Sequence, residues 1–371
     1  MTDKSKTINI LIVFWNLGIG GIQRKIVDLT HYCEKGKYKN CRFHILLRDK
    51  TDFRMDNQIS KSTAKIYYRP QFANEKLHIP FTLYMIWKAY QLKPVTLLTF
   101  LDYTSFLSII AAKTLFWRKI RIVLNEDILT SPYVNSSIKQ RLIKIFYPIA
   151  DIIISPTIAS KNDLVDNFSV PADKITVVPN WTLMFANKHK VKPVFDLLYA
   201  GRFDKQKNLF FLLKVIKQVK DRIPNLKVCF IGDGSQKNEM QKFIQDNHLG
   251  ENVIIKKGVY NLSSYFRKVK IFTMCSIYEG MPVVLLEAMA AKLSVVTKKC
   301  PGSDEYLVNG KTAFIEDNID DYSNRVETLL KQPNLRRKIG NNASRYVKTH
   351  FSENEILKYI EVLLPGIQVG L

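Results

Sequence analysis

The chain has 371 residues, of which 46% are hydrophobic and 24% are charged, a composition typical of a folded soluble protein rather than a disordered or fibrous one. This length exceeds what one hydrophobic core usually organises, so we expect two domains. The formal net charge of +23 predicts attraction to anionic partners, and charge alone does not choose among nucleic acid, phosphate groups and acidic lipid.

The first half alternates short apolar runs with helix-length segments. Residues 8–15 read as a buried strand, a glycine turn follows, and residues 22–33 read as a helix. Further strands are predicted at residues 43–47, 65–68, 95–100, 120–124 and 151–154. Such alternation predicts an α/β domain with a parallel sheet covered on both faces.

Two stretches of this half mix basic and aromatic residues, one from His78 to Lys88 and one from Phe116 to Lys119. They suit a face that lies on anionic lipid headgroups, and they suit an ordinary amphipathic helix with a solvated basic side equally well. No run approaches the roughly eighteen apolar residues of a transmembrane helix, and the opening residues lack a secretory signal. We therefore expect a cytoplasmic protein, peripheral at the inner face of the cell membrane.

The second half repeats the alternation after a basic segment at residues 187–193. We predict a first Rossmann-like domain at residues 1–190, a second at 191–352, and a terminal helix at 353–371 that crosses back to the first domain. Strands are predicted at residues 195–200, 227–231, 252–255, 271–274 and 293–297, with helices beginning near Asn208, Gln236, Pro282 and Asp320.

A glycine turn, Gly18-Ile19-Gly20-Gly21, joins the first predicted strand to the first helix. Such a turn lets backbone approach a ligand closely and aims free N–H groups at negative charge, although it serves tight packing equally well. The full G-x-G-x-x-G pattern is absent because Gln23 stands where the third glycine would fall, which disfavours a dinucleotide site.

A second motif runs from Gly201 to Asn208 directly after an apolar strand. Arg202 and Lys207 can reach one anion together, and a guanidinium with an ammonium suits a diphosphate. The alternative is a solvated basic loop. Asn208 is predicted to cap the helix that follows.

The third motif, residues 276–290, carries two glutamates around a helix start. Pro282 is predicted at the first helical position, so that residues 280–284 present backbone N–H groups. Glu279 precedes the helix and Glu287 lies on its second turn, where a carboxylate can accept hydrogen bonds from sugar or ribose hydroxyls. The alternative is that Glu287 pairs with a lysine such as Lys292.

Glu279 and Glu287, an E-x7-E pair within E-G-M-P-V-V-L-L-E-A-M-A, resemble the signature of family 4 retaining glycosyltransferases. Other segments fall in that family's order, namely Gly20-Gly21, residues 178–180, Gly201-Arg202 with Lys207, residues 231–234 and residues 301–305. The resemblance implies the GT-B fold, in which two Rossmann-like domains flank the active site.

In that family, residues at the matching positions act on a nucleotide-sugar donor. The resemblance implies that Arg202 and Lys207 hold the diphosphate, that Glu287 holds the ribose, and that Glu279 contacts the transferred sugar. It further places at the donor Gly20, Gly21, Gly232, Val259, Gly280, Met281, Pro282 and Val283. It implies that configuration is retained without a protein nucleophile. Because no Asp-x-Asp follows a strand, we expect no metal and no other cofactor.

The chain departs from the family at Asn125-Glu126-Asp127, where many relatives carry a histidine. Asp127 or Glu126 would then lie on the acceptor side, and we expect Asp127 to accept the acceptor hydroxyl's proton. The alternative is a helix cap without a catalytic part.

The function we predict is transfer of a hexose or N-acetylhexosamine, most readily from a UDP-sugar, to a saccharide acceptor. A lipid-linked acceptor in bacterial surface polysaccharide synthesis fits the basic, aromatic first half. Two rivals are an epimerase that acts on a nucleotide sugar and a nucleic-acid-binding protein, although no recognised motif supports nucleic-acid binding.

Overall fold

The computed structural model describes residues 7–34, 38–50, 55–61, 63–70, 79–183 and 191–364. The chain forms two compact units. The first ends at Pro179 and takes in the chain again from Glu355, and the second runs from Asn180 to Asn354. His78 and residues 187–190, on which two of the sequence interpretations draw, lie outside the described residues.

The first unit is built on a parallel sheet, with seven strands among the described residues in the order β3-β2-β1-β4-β5-β6-β7. The strands are β1 (Ile8–Phe14), β2 (Cys41–Leu47), β3 (Ala64–Tyr68), β4 (Thr96–Phe100), β5 (Arg121–Asn125), β6 (Ile152–Ser155) and β7 (Ile175–Val177). Every residue of β4 is buried, as expected for a strand with both faces covered. The parallel α/β architecture predicted for this half is confirmed.

Helices connect these strands. They are α1 (Gly21–Tyr32), α2 (Ile79–Leu92), α3 (Asp102–Thr114), α4 (Thr130–Tyr133), α5 (Ser137–Phe146) and α6 (Ile158–Phe168). The core beneath α3 and α5 includes Phe106, whose ring lies 5.4 Å from that of Phe146 and 6.3 Å from that of Tyr147.

The second unit has a parallel sheet with six strands in the order β10-β9-β8-β11-β12-β13. These are β8 (Phe195–Ala200), β9 (Val228–Ile231), β10 (Val253–Lys256), β11 (Val269–Met274), β12 (Ser294–Thr297) and β13 (Phe314–Ile315). The helices are α7 (Leu209–Arg222), α8 (Lys237–Asp246), α9 (Ser263–Phe266), α10 (Val283–Ala290), α11 (Ile319–Lys331) and α12 (Pro333–His350). Two apolar clusters cover the faces of this sheet.

The last helix, α13 (Glu353–Leu363), is fastened to the sheet of the first unit. The Tyr359 hydroxyl donates to Oδ1 of Asn125 at 2.8 Å, at the end of β5. The Thr96 hydroxyl, at the start of β4, donates to the Leu363 carbonyl at 2.7 Å. Residues near the C-terminus thereby complete the fold of the first unit.

The sequence pattern missed two strands, β7 and β13, which have three and two residues. A periodic pattern cannot be recognised in so few residues. Each of these two strands forms because it adds to the edge of an existing sheet. Among the described residues, none of the helices combines the length and the apolar character needed to cross a bilayer.

Candidate active site

The candidate site of the second unit lies where the order of its sheet reverses. β8 and β11 are neighbours in the sheet, but the chain proceeds from β8 to β9 on one side and from β11 to β12 on the other. In open parallel sheets, ligands bind beyond the carboxyl ends of strands at such a point. The loops after β8 and β11 carry Arg202, Lys207 and Glu279.

Lys207 and Glu279 form an ion pair that joins these two loops. Nζ of Lys207 contacts Oε1 of Glu279, and their side chains are 15% and 7% exposed. Ser276 donates its hydroxyl to the same carboxylate oxygen at 2.6 Å. Burying a charge is costly unless the charge is paired, so the ammonium and the hydroxyl together stabilise the buried carboxylate of Glu279.

Arg202 lies on the first loop with an exposed guanidinium. Its side chain is 63% exposed, and it contacts Asp204 at 3.1 Å and Gln206 at 3.2 Å. Beneath it, the buried Tyr199 hydroxyl donates to the Arg202 carbonyl at 2.9 Å, and burial raises the pKa of Tyr199 well above its usual range. The backbone of Arg202 is therefore anchored, while its side chain can reorient toward an anion.

Gln206 ties the two loops together through both ends. Its side-chain amide donates to the Tyr278 carbonyl at 2.9 Å, and its backbone carbonyl accepts from the Ile277 N–H at 2.8 Å. The sequence interpretation did not single out Gln206 or Ser276, because a polar residue in a loop carries no signal until its partner is known.

The helix α10 begins at Val283, and Pro282 is its cap residue in an extended conformation. The prediction that Pro282 occupies the first helical position is therefore wrong by one residue. The helix still presents its first N–H groups, those of Val283 and Val284, without intrahelical partners. Glu287 lies within α10 and is 5% exposed, so this carboxylate is buried beside the same loop.

Asn180 holds the loop that carries Gly280 and Met281. Its side-chain amide donates to the Met281 carbonyl at 2.7 Å, although the two residues are 101 positions apart. The 178–180 segment was noted only for its resemblance to the family, and the structure supplies the physical reason for an amide at this position.

The glycine after β9 allows the backbone of two loops to touch. A Cβ placed on Gly232 would lie 1.9 Å from the Gly201 carbonyl oxygen, so a side chain cannot be accommodated without moving the β8 loop. Val259 follows β10 and is half-buried against the apolar cluster on this face of the sheet.

Asn208 does not cap α7 through its side chain, which corrects the prediction. It adopts a left-handed conformation, with φ of 52° and ψ of 44°, and its side chain makes no capping hydrogen bond. Asn tolerates this conformation better than most residues, so it closes the turn that follows Lys207.

In the first unit, Gly20 and Gly21 lie at the start of α1. Gly20 is the cap residue and Gly21 the first helical residue, and the Gly20 carbonyl accepts from the Arg24 N–H at 3.1 Å. The predicted strand, glycine turn and helix are thus present in that order.

Asp127, after β5, pairs with a buried lysine from α1. Nζ of Lys25 lies 2.6 Å from Oδ1 of Asp127, and the two side chains are 3% and 9% exposed. Lys25 also donates to Oδ1 of Asn125 at 3.3 Å. Burial lowers the pKa of Lys25, and the neighbouring Asp127 partly offsets that effect.

The alternative interpretation of Asp127 as a helix cap is wrong. The following helix, α4, is capped by Asp163, whose Oδ2 accepts from the N–H groups of Thr130 and Ser131 at 2.7 and 2.9 Å. Oδ2 of Asp127 is buried and has no hydrogen-bond partner among the residues that the structure describes. Glu126 accepts from the Tyr147 hydroxyl at 2.6 Å and lies in the interior.

Two parallel α/β units, the second with an ion pair that joins the loops after β8 and β11, agree with the GT-B fold that the motif implies. The model "Glycosyltransferase Family 4" matches residues 19–182, and "Glycosyl transferases group 1" matches residues 181–346. The chain belongs to glycosyltransferase family 4, as the E-x7-E motif predicted.

Two relatives come from Campylobacter jejuni. One is the N-acetylgalactosamine-N,N'-diacetylbacillosaminyl-diphospho-undecaprenol 4-alpha-N-acetylgalactosaminyltransferase, 29% identical over 67% of this chain and 70% of that protein. The other is the GalNAc-alpha-(1->4)-GalNAc-alpha-(1->3)-diNAcBac-PP-undecaprenol alpha-1,4-N-acetyl-D-galactosaminyltransferase, 25% identical over 95% of this chain and 98% of that protein.

The fold also matches a solved structure, Anabaena HepE in complex with UDP and glucose. The TM-score is 0.79 at 15% identity, and the match covers 97% of this chain and 100% of that chain. The predicted fold, two parallel-sheet α/β domains of GT-B type, is confirmed.

Proposed function

We propose that this glycosyltransferase moves an N-acetylhexosamine from a UDP-sugar to a lipid-linked saccharide in the synthesis of a bacterial surface glycan. The names of the two Campylobacter relatives support the sugar and the acceptor class, since both transfer N-acetylgalactosamine to undecaprenol-linked saccharides. HepE, described with UDP and glucose, makes UDP the first nucleotide to test.

The donor diphosphate binds, in this proposal, between Arg202, Lys207 and the N-terminus of α10. The argument rests on the ion pair between Lys207 and Glu279, which places an ammonium against the loop that leads into α10. Cations and a helix N-terminus both favour a diphosphate and stabilise the charge that grows on it as the sugar departs. Glu287, buried in α10, accepts hydrogen bonds from the ribose hydroxyls.

We propose that the reaction retains the anomeric configuration without a protein nucleophile. Oε1 of Glu279 already accepts from Lys207 and Ser276, which supports a role in orienting the sugar rather than attacking it. The C1–O bond to the diphosphate breaks, the acceptor oxygen bonds to C1 on the same face, and a diphosphate oxygen takes the acceptor's proton. The α-linkages in both relatives' names agree with retention from an α-linked donor.

Asp127 serves the acceptor in this proposal. Its Oδ2 has no hydrogen-bond partner among the described residues, so this oxygen keeps the capacity to accept from an acceptor hydroxyl. The transfer requires no metal, because Arg202 and Lys207 supply the positive charge that a divalent cation would otherwise bring. The acceptor being a lipid, we place the enzyme at the inner face of the cell membrane.

Thermal unfolding in the presence of UDP, GDP, ADP and their sugars tests the donor site. One nucleotide should raise the unfolding temperature, and Arg202→Ala and Glu287→Ala should each abolish the rise. Arg222→Ala is the matched control, because Arg222 pairs with Glu327 on the surface of the same unit at 2.9 Å. If no nucleotide stabilises the protein, the donor assignment fails.

Product analysis tests the reaction itself. NMR of the product should show the donor's configuration at C1, and excess EDTA should leave the rate unchanged. An inverted product would refute retention, and loss of activity in EDTA would refute metal independence. Release of epimerised donor without acceptor would identify an epimerase instead.

A further inference from the structure

The helix α5 of the first unit, and α3 after its first residue Asp102, lie in chain segments that carry only positive charge. Residues 103–125 and 128–150 contain seven Lys and Arg residues and no Asp or Glu. Lys113 on α3 and Arg141 and Lys144 on α5 are exposed. A surface of one sign is unfavourable for an isolated protein and suits an anionic partner.

The same two elements also expose large apolar side chains. Phe116 and Trp117, in the short turn after α3, are 78% and 57% exposed, and their rings pack edge to face with centroids 5.1 Å apart. Ile145 on α5 and Ile149 just beyond it are exposed as well. Single exposed apolar residues are ordinary, but a group of them framed by cations marks an interaction surface.

A groove of about 370 Å³ lies between these helices. Its walls are apolar, from Ile109 and Ile110 on α3 and from Phe146 and Ile149, and Lys113 lies at its edge. An apolar groove beside an ammonium matches a lipid, whose chain is apolar and whose headgroup is anionic.

The aromatic character continues toward α2. Trp87 and Tyr90 on α2 are exposed, and the Arg118 guanidinium lies 5.0 Å from the centre of the Tyr90 ring. Aromatic rings with cations beside them are the side chains that membrane interfaces favour, because one part of each is apolar and the other is polar.

We propose that this surface, the α3–α5 face formed by Lys113, Phe116, Trp117, Lys144, Ile145 and Ile149, docks on an anionic lipid bilayer. The proposal rests on the proposed function insofar as docking brings the enzyme to a lipid-linked acceptor. The turn at Phe116 and Trp117 enters the headgroup region, and the cations of both helices contact lipid phosphates.

Two other occupants fit the face less well. In a symmetric dimer, a second copy would bring the same cations opposite one another. RNA would use the aromatic rings for stacking but would leave the isoleucines and the apolar groove without a partner. A bilayer satisfies the cations and the apolar side chains together.

Vesicle co-sedimentation of the full chain tests the proposal. The protein should bind vesicles that contain phosphatidylglycerol, bind pure phosphatidylcholine vesicles far less, and dissociate as salt is raised. Since each cation near an anionic surface adds about fivefold in affinity, Lys113→Ala/Arg141→Ala/Lys144→Ala should lose roughly a hundredfold. Phe116→Ser/Trp117→Ser should weaken binding to both kinds of vesicle.

Matched controls separate docking from total charge and from folding. Lys242→Ala/Lys338→Ala/Arg345→Ala removes three exposed cations of the second unit, and it should bind nearly as well as the unaltered protein. All variants should keep their unfolding temperature and their transfer rate to a water-soluble acceptor analogue. If these variants alter that rate, the face acts in catalysis and the docking proposal is wrong.

Several results would overturn the docking proposal, and one would refute the enzymatic function without affecting it. Absence of binding to phosphatidylglycerol vesicles, equal losses in both triple variants, or a dimer that the Phe116→Ser/Trp117→Ser change dissociates would each overturn it. RNA binding lost in the same variants, without vesicle binding, would identify a nucleic-acid surface. Vesicle binding without any glycosyl transfer would refute the proposed function and leave the docking surface intact.

Discussion

Removing Asp127 should destabilise the first unit more than any exposed ion pair could. Asp127→Ala leaves the Lys25 ammonium in a site where its side chain is 3% exposed, with the carboxylate 2.6 Å away gone. Breaking a buried pair by removing one partner costs about 3–5 kcal/mol, and each kcal/mol lowers the unfolding temperature of a unit of this size by about 2–4 °C. We expect a fall of roughly 6–20 °C.

The double variant Lys25→Met/Asp127→Leu provides the control. Replacing both partners with apolar residues of similar size is often neutral, so this variant should recover most of the stability lost in Asp127→Ala. Hydrogen exchange of β1, α1 and β5 is the appropriate assay, because the chain has two units and a single global transition cannot be assumed. A cost below about 1 kcal/mol for Asp127→Ala, the range of exposed pairs, would refute the reasoning.

Three further predictions concern named contacts. Lys207→Met should lower kcat/KM about a hundredfold or more, because it removes the cation that we propose binds the departing diphosphate. A loss confined to stability would contradict that role. Asn180→Ala should destabilise the second unit by about 1–3 kcal/mol in urea denaturation, since the hydrogen bond of Asn180 is buried. Asn342→Ala should cost far less, because the hydrogen bond of Asn342 is exposed. The pKa of Lys25 is lowered from 10.5 in the folded protein, so just below pH 10.5 the unfolded chain binds more protons than the folded one. The free energy of unfolding should therefore rise with pH in that range, and Lys25→Met should remove this rise.

Much of the fold could be predicted from hydrophobic periodicity and from the turn-forming residues between elements. The strand at Phe195–Ala200 was predicted with the bounds the structure has, and the last helix begins at Glu353 as predicted. Buried parallel strands produce continuous apolar runs, and amphipathic helices repeat with a different period, so both register locally. β13 was not predicted, because its two residues form a strand only by pairing with β12 in the assembled sheet.

The candidate site divides in the same way. Glu279 and Glu287 were identified because their spacing spans a loop and the first turns of one helix, which is a local property. The cap at Asn208 was assigned wrongly, since side-chain capping depends on a backbone conformation that the residue type only biases. The role of Asn180 was missed because its partner lies 101 residues away.

The sequence by itself therefore determined the alternation of strands and helices, the family and the residue types of the proposed donor site. The tertiary structure alone decided which charged groups meet. Lys207 and Glu279 are 72 residues apart, Lys25 and Asp127 are 102 apart, and Tyr359 and Asn125 are 234 apart. Each pairing depends on which strands become neighbours and on where their loops end, because a buried charge is stable only when the assembled sheet delivers its partner to it.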